Sequence, residues 1–312
     1  MANCRKMVKL ILFVLIGILE IKSSSAEIIN DSYLGRNRSV LEYGAKGDGQ
    51  QDDSEAFQNA INSMKENDQL FIPKGTYLIT RTLRVNKVNV KIYGDGKTSK
   101  LVYRYGRYSQ TKSVIQAFLL EKASNVTFSN FSVNGGATVF DNTRIDDYGK
   151  EVWDVYGAYN IFFIHPSYDN AVNNIIFRDL DLSHSYFSAI HCYGRLKDPW
   201  PKFYSSNLSI ENCTFTDIGI HAIGFNYTHN SLVKGNNIKD VGLAKLIKDS
   251  GSGLGVDASA GCESIIVENN IIDGAGGGIK CETHKEDNGK IVTSKNIVIR
   301  NNTIKNLYGE GR

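Results

Sequence analysis

Four short phrases in the second half of the chain carry its most reactive side chains: SAIHCYG (188–194), HAIGFNY (221–227), SGLGVDA (252–258) and GGIKCET (277–283). Aligned on their first large aliphatic residue, they superpose Ile190, Ile223, Leu254 and Ile279, and two places on Cys192, Phe225, Val256 and Cys281. Residues i and i+2 of a strand share a face, so these eight side chains are expected to point inward. The remaining positions then point outward: His191 and Tyr193, Gly224 and Asn226, Gly255 and Asp257, Lys280 and Glu282. Stacked as neighbouring strands ~4.8 Å apart, the phrases would set the carboxyls of Asp257 and Glu282 in one column, roughly 5–7 Å from each other. Two carboxyls at such a range can share the cleavage of a glycosidic bond, one as acid and one as base or nucleophile. Their mutual repulsion raises one pKa and so prepares the acid. His191 and Lys280 flank the pair, and Gly224 and Gly255 leave a trough where a sugar ring can approach the backbone. His221 and His284 lie at the edges, while Trp153, Tyr156 and Trp200 offer rings for stacking. The plain alternative is that these side chains are only solvated, since any such outer face is polar and chance pairs of carboxylates are common.

What must position these residues is a repeat. Six coil starts are expected at Asn125, Asn174, Asn207, Asn230, Ser264 and Asn296, separated by 49, 33, 23, 34 and 32 residues. Three residues on stand Phe128, Phe177, Ile210, Val233, Val267 and Ile299; eight on stand Val133, Leu182, Phe215, Ile238, Ile272 and Ile304. All are apolar. Five on stand Asn130, Asp179, Asn212, Gly235, Asn269 and Asn301, residue types that tolerate a left-handed turn and stack as ladders. A repeat of this length marks a solenoid. Its longer intervals hold insertions at 144–159, 195–204, 244–250 and 284–290, and such loops wall grooves. Ahead of the repeat, Asp52 or Asp53 can cap a helix with Ala56, Phe57, Ala60, Ile61 and Met64 on one side. Turn and cap chemistry accounts for Asp48, Asp52 and Asp53 better than metal binding does.

The stretch YGAKGDGQQDDSEAFQNAI, followed by LFIPKGTYLI, resembles the opening segment of the pectin lyase-like superfamily over roughly Val40 to Tyr103. The resemblance implies an all-β fold, a single-stranded right-handed parallel β-helix whose N-terminal α-helix covers the open end of the sheets. Polygalacturonases, pectate-lyase-like proteins and phage tailspikes share this architecture. GSGLGVDAS (251–259) with GGGIKCET (276–283) is similar to the late active-site coils of polygalacturonases. Their Ile-Lys pair implies that Lys280 binds a substrate carboxylate. The Asn-Thr-Asp and Asp-Asp motifs of those enzymes are missing from SAIHCYG and HAIGFNY, so their catalytic residues do not transfer.

The N-terminus reads as a secretory signal peptide, residues 1–26: basic MANCRKMVK, an apolar LILFVLIGILEI too short to span a bilayer comfortably, and small residues up to Ala26. A leader, 27–39, and a β-helix domain, 40–312, follow, with cap 40–103 and coils 104–312; the last coil shows no evident C-terminal cap. The expected location is extracellular, or periplasmic in a bacterium, with no stable membrane insertion. Of 36 Lys and Arg, four lie in the signal, as does one of 33 acidic residues, so the mature chain is balanced. That balance argues against nucleic acid as a partner. Cys192, Cys213, Cys262 and Cys281 remain, as buried thiols or as bridges, without a metal-binding spacing. Eight N-x-S/T sequons occur, most of them repeat asparagines, with Asn30 and Asn37 the best placed acceptors.

Three function classes follow. The first is a hydrolase of an acidic polysaccharide such as pectin, with Asp257, Glu282 and His191 catalytic and Lys280, Tyr193, Asn226, His221 and Trp200 on the substrate. The second is a polyuronate lyase or C5-epimerase, in which Lys280, His191 or Tyr193 takes the C5 proton. The third is a non-catalytic carbohydrate-binding solenoid. No cofactor or metal is called for, apart from Ca²⁺ for a lyase, and the sequence leaves the oligomeric state open.

Overall fold

Short strands, each ending at a residue that accepts positive φ, wind the chain into repeated coils. A computed structural model describes residues 35–104, 108–109, 115–137, 143–145, 151–155, 157–166, 172–194, 204–243, 253–285 and 291–308. The solenoid lies in the compact unit Leu34–Arg312. Among the described residues three long parallel sheets run along it, two of nine strands and one of seven. Successive coils add one strand to each, so neighbours within a sheet are one coil apart in sequence. The fold is a right-handed parallel β-helix.

The register matches the repeat expected from sequence. Phe128 pairs with Phe177, Phe177 with Ile210, Ile210 with Val233, Val233 with Val267, and Val267 with Ile299. The second column, Val133, Leu182, Phe215, Ile238, Ile272 and Ile304, pairs likewise in the second sheet. Every member is fully buried except Ile299 and Ile304, in the last described coil, which are 48% and 41% exposed. Aromatic rings fill the wide middle coils: Phe118 stacks on Phe162 at 4.8 Å and Phe128 on Phe177 at 5.5 Å. Burying each such side chain contributes roughly 1.5–3 kcal/mol.

Twelve positions anticipated as coil starts and turns are all left-handed, from Asn125 at φ 54° to Asn301 at 54°. One ladder joins the coil starts: Asn125 donates to Asn89, Asn174 to Asn125, and Asn207 to Asn174, at 2.6–2.8 Å. A second, buried ladder runs one residue beyond the turns, Asn236 to Asn270 to Asn302, each step 2.9 Å.

At the N-terminal end, helix Ser54–Ser63 buries Ala56, Phe57, Ala60 and Ile61, with Met64 just beyond. The acidic residues there do turn work. Asp52 accepts from the Ser54 amide at 3.0 Å, Asp53 from the Lys46 and Gly47 amides, and Asp48 from those of Gln50 and Gln51. Strands from Asn37 onward already belong to the sheets, so this helix interrupts the first coils. Part of the 144–159 insertion folds as an antiparallel ribbon, Thr143–Ile145 against Glu151–Val155, which also pairs with Tyr108–Ser109. Cys192, Cys213, Cys262 and Cys281 are all free thiols, the first three buried. Among the described residues no helix is long and apolar enough to cross a membrane.

Candidate functional site

The four phrases are consecutive strands of the seven-stranded sheet: Ser188–Tyr193, His221–Asn226, Leu254–Ser259 and Gly277–Lys280. Their register differs from the expected one in the third phrase. Ile190 pairs with Ile223, Ile223 with Val256, and Val256 with Ile279, whereas Leu254 faces Gly277. The third phrase is therefore shifted by two residues. The outward column reads His191, Gly224, Asp257, Lys280. The next reads Tyr193, Asn226, Ser259, and continuing that register brings Glu282 after Ser259. Asp257 and Glu282 are thus diagonal neighbours rather than members of one column, and Lys280 stands directly beside Asp257.

Gly255 is likewise not part of an outer trough. A Cβ there would lie 2.7 Å from the Ile272 Cδ1 and 3.0 Å from the Gly278 carbonyl, so it faces the core, where the third sheet comes close to the second. Gly224 does face outward, but it is buried beneath the His191 ring, so it leaves no open trough. A Cβ on it would meet His191 Nδ1 at 2.8 Å, so His191 keeps its position only above a glycine.

Asp257 is the centre of the site. Its side chain is 19% exposed. One carboxyl oxygen accepts the Ser259 hydroxyl and the other faces His221 Nε2 at 3.8 Å. Burial raises its pKa; the Ser259 bond and the Lys280 charge pull it back, and Glu282 pushes it up again. His221 Nδ1 accepts the Leu254 amide at 3.2 Å, so the proton of its neutral ring sits on Nε2, toward Asp257. Burial, helped by the Lys280 charge, lowers the His221 pKa to about 4. His191 is lowered to about 4 by the same burial and by His221. At 3.8 Å, with burial opposing charge on both groups, His221 and Asp257 are an oriented contact and not a strong ion pair.

Lys280 and Glu282 are both exposed and ion-paired at 2.7 Å. Two carboxyls thus sit in opposite environments, one buried and pushed toward its acid form, the other solvated beside a cation. Tyr193 is 42% exposed and Asn226 partly so, both on the outer face as anticipated. Trp200, Tyr156 and most of the 195–204 and 244–250 insertions lie outside the described residues. Among the described residues no three His, Cys, Asp or Glu gather as a metal-binding group.

The structure adds aromatic residues that the sequence reading passed over. Phe163 is the register neighbour of His191. Phe187 wedges between the two histidines, edge-on, at 5.5 Å from His191 and 6.3 Å from His221. Tyr159 stacks on Phe187 at 4.6 Å. His191 Nδ1 and Ser188 Oγ are buried without a hydrogen-bond partner among the described residues, so packing holds the His191 ring. The run NIFFIH (160–165) carried the signal: Phe163 and His165 alternate with inward residues.

The side chains of His191, His221, Asp257 and Lys280 thus gather on the outer face of one sheet of a parallel β-helix. The chain belongs to the family described as rhamnogalacturonase A/epimerase, pectate lyase-like, which matches residues 37–311. It is 26% identical to the preneck appendage protein of Bacillus phage PZA over 259 residues, covering 79% of this chain and 27% of that protein. The phage phi29 pre-neck appendage protein matches with the same identity and coverage. The chain therefore spans about 27% of the length of these relatives. In structure it is similar to phage phi29 gene product 12, with TM-score 0.59, 23% identity, and coverage of 85% of this chain and 32% of that one. It is also similar to an alginate lyase from Paenibacillus, with TM-score 0.51, 14% identity, and coverage of 86% and 76%. These likenesses concern the fold.

Proposed function

We propose that this chain is a secreted glycoside hydrolase acting on an acidic, uronate-containing polysaccharide, exported by residues 1–26. One observation carries the reading: Asp257 and Glu282 stand as neighbours on one face in opposite environments. Burial favours the protonated form of Asp257, which suits a general acid that protonates the leaving oxygen. Glu282, solvated and paired with Lys280, is the partner that activates water or attacks the sugar. His221 orients the Asp257 carboxyl through Nε2–H, and Lys280 receives a substrate carboxylate. Family membership supports the substrate class.

A second reading has its own observation. His191 and His221 stay neutral down to about pH 4, so each offers an uncharged imidazole that can take a C5 proton, with Lys280 neutralising the uronate carboxylate. That is lyase or epimerase chemistry. The test is incubation with a panel of polysaccharides, read for reducing ends and for the ultraviolet absorbance of unsaturated uronate. Reducing ends without absorbance are expected for the hydrolase. Both signals together would replace it by the lyase; neither signal, with C5 inversion seen by NMR, would make it an epimerase, and neither signal with retained binding and no inversion would make the chain a carbohydrate-binding solenoid.

A further inference from the structure

We infer that the outer face of the third sheet carries a sugar-stacking subsite two to three coils ahead of Asp257, built on Phe163, His165, Tyr193 and the ring of His191. It rests on reading Asp257 as the reaction centre of a polysaccharide-active protein. The four rings form a two-by-two array on adjacent strands. Along the strands, Phe163 lies 5.4 Å from His165, and His191 lies 6.2 Å from Tyr193. Across the strands, Phe163 lies 5.8 Å from His191, and His165 lies 6.2 Å from Tyr193. All four interplanar angles fall between 15° and 24°, so the rings present one nearly parallel set.

Placement gives this array its occupant. Phe163 and His191 head the same register column that continues through Gly224 to Asp257 and Lys280. With coils ~4.8 Å apart, Phe163 stands ~14 Å from Asp257 along the solenoid axis. A chain threaded over Lys280 and Asp257 in that direction meets the His191 ring, which covers Gly224, and arrives on the array. The strands Asn160–Ile164 and Ser188–Tyr193 contribute no Lys, Arg, Asp or Glu. Among the described residues, binding there comes from rings against the C–H face of a pyranose, with the Tyr193 hydroxyl and the His165 imidazole meeting its hydroxyls. An outward Phe at a position held by Gly224, Asp257 and Lys280 on later coils has no packing duty in the core and is partly exposed. The polymer therefore lies along the axis, its charged contact at the Lys280 end and its stacking contact at the Phe163 end.

The experiment is calorimetric titration of the Asp257→Asn variant with an oligogalacturonide ladder from dimer to octamer, at low and high salt, with and without Phe163→Ala or Tyr193→Ala. Circular dichroism confirms that each variant folds. The subsite predicts that longer oligomers bind better, that this gain persists in high salt, and that each ring deletion weakens the longest oligomers about 2- to 12-fold while leaving the dimer unchanged. In the Asp257-intact protein Phe163→Ala should raise KM with kcat unchanged. Ring variants that bind the octamer as tightly as their parent overturn the subsite and leave Asp257 untouched. Ring variants that bind more weakly, in a protein that cleaves nothing, uphold the subsite and refute the hydrolase. Absence of any oligosaccharide binding overturns both.

Discussion

Replacing Asp257 by Asn should remove catalysis without removing stability, and both halves follow from the surroundings of one carboxyl. Asn keeps the shape and can still accept the Ser259 hydroxyl, but it cannot deliver a proton. A positioned general acid contributes about 10²–10⁴-fold to rate, so kcat should fall by that factor, equivalent to about 3–5 kcal/mol of barrier. The sign of the stability change is set by linkage. Burial raises the folded pKa of Asp257 above its ordinary 3.8. The stability that this shift contributes is complete below 3.8 and is lost as pH rises through the raised value. At neutral pH the ionised carboxylate is thus a burden on the fold, and the uncharged Asn relieves it. The variant should melt at or above the parent temperature at pH 7, with the gap closing as pH falls. Wild-type activity should decline with rising pH through the same titration. Differential scanning calorimetry across pH, beside reducing-end release, measures both. A variant that melts clearly lower at pH 7 would show Asp257 to be an ionised anchor for His221. A variant that hydrolyses within a few-fold of the parent would remove Asp257 from the chemistry.

Three other outcomes are expected. His221, lowered from 6.5 to about 4, contributes stability that is complete above 6.5 and is lost as pH falls through about 4, on the order of 3 kcal/mol at most. His221→Gln should flatten the acid limb of the denaturation midpoint against pH, and an unchanged limb would mean that His221 is not the titrating group. Gly224→Ala sets a Cβ 2.8 Å from His191 Nδ1, so it should displace that ring, cost about 1–3 kcal/mol in chemical denaturation and abolish activity. Asn270 donates to Asn302 and to the Val233 carbonyl inside the core, and accepts from Asn236. Asn270→Ala should therefore cost several kcal/mol in the urea midpoint, through unpaired buried groups worth about 1–3 kcal/mol each, whereas Asn125→Ala on the exposed ladder should cost under about 1 kcal/mol.

The sequence made the solenoid readable because its constraints repeat. A coil start must take positive φ, the residue three on must fill the core, and the turn five on must take positive φ again, so Asn125, Phe128 and Asn130 announce a pattern that five later coils restate. The site was less legible, and the cause lies in the period of a strand. A slip of one residue flips every side chain to the opposite face and is easily detected; a slip of two restores the faces and leaves the hydrophobic pattern intact. Aligning Leu254 with Ile223 was such a slip, and it joined Asp257 to the column of Glu282. What fixes the register is a feature of the sheet corner, where strict alternation fails and two successive residues turn inward. The first of them must be small because the second sheet lies against it: Ala189, Ala222, Gly255 and Gly278 occupy that column, with Ile272 and Ile304 touching the two glycines. The pairs Ala189-Ile190, Ala222-Ile223, Gly255-Val256 and Gly278-Ile279 were visible in the sequence as a small residue before a branched one. Aligned on those pairs, the phrases set Asp257 beside Lys280 and one coil beyond Gly224. That arrangement gives the buried acid both the cation and the histidine contact on which its chemistry depends.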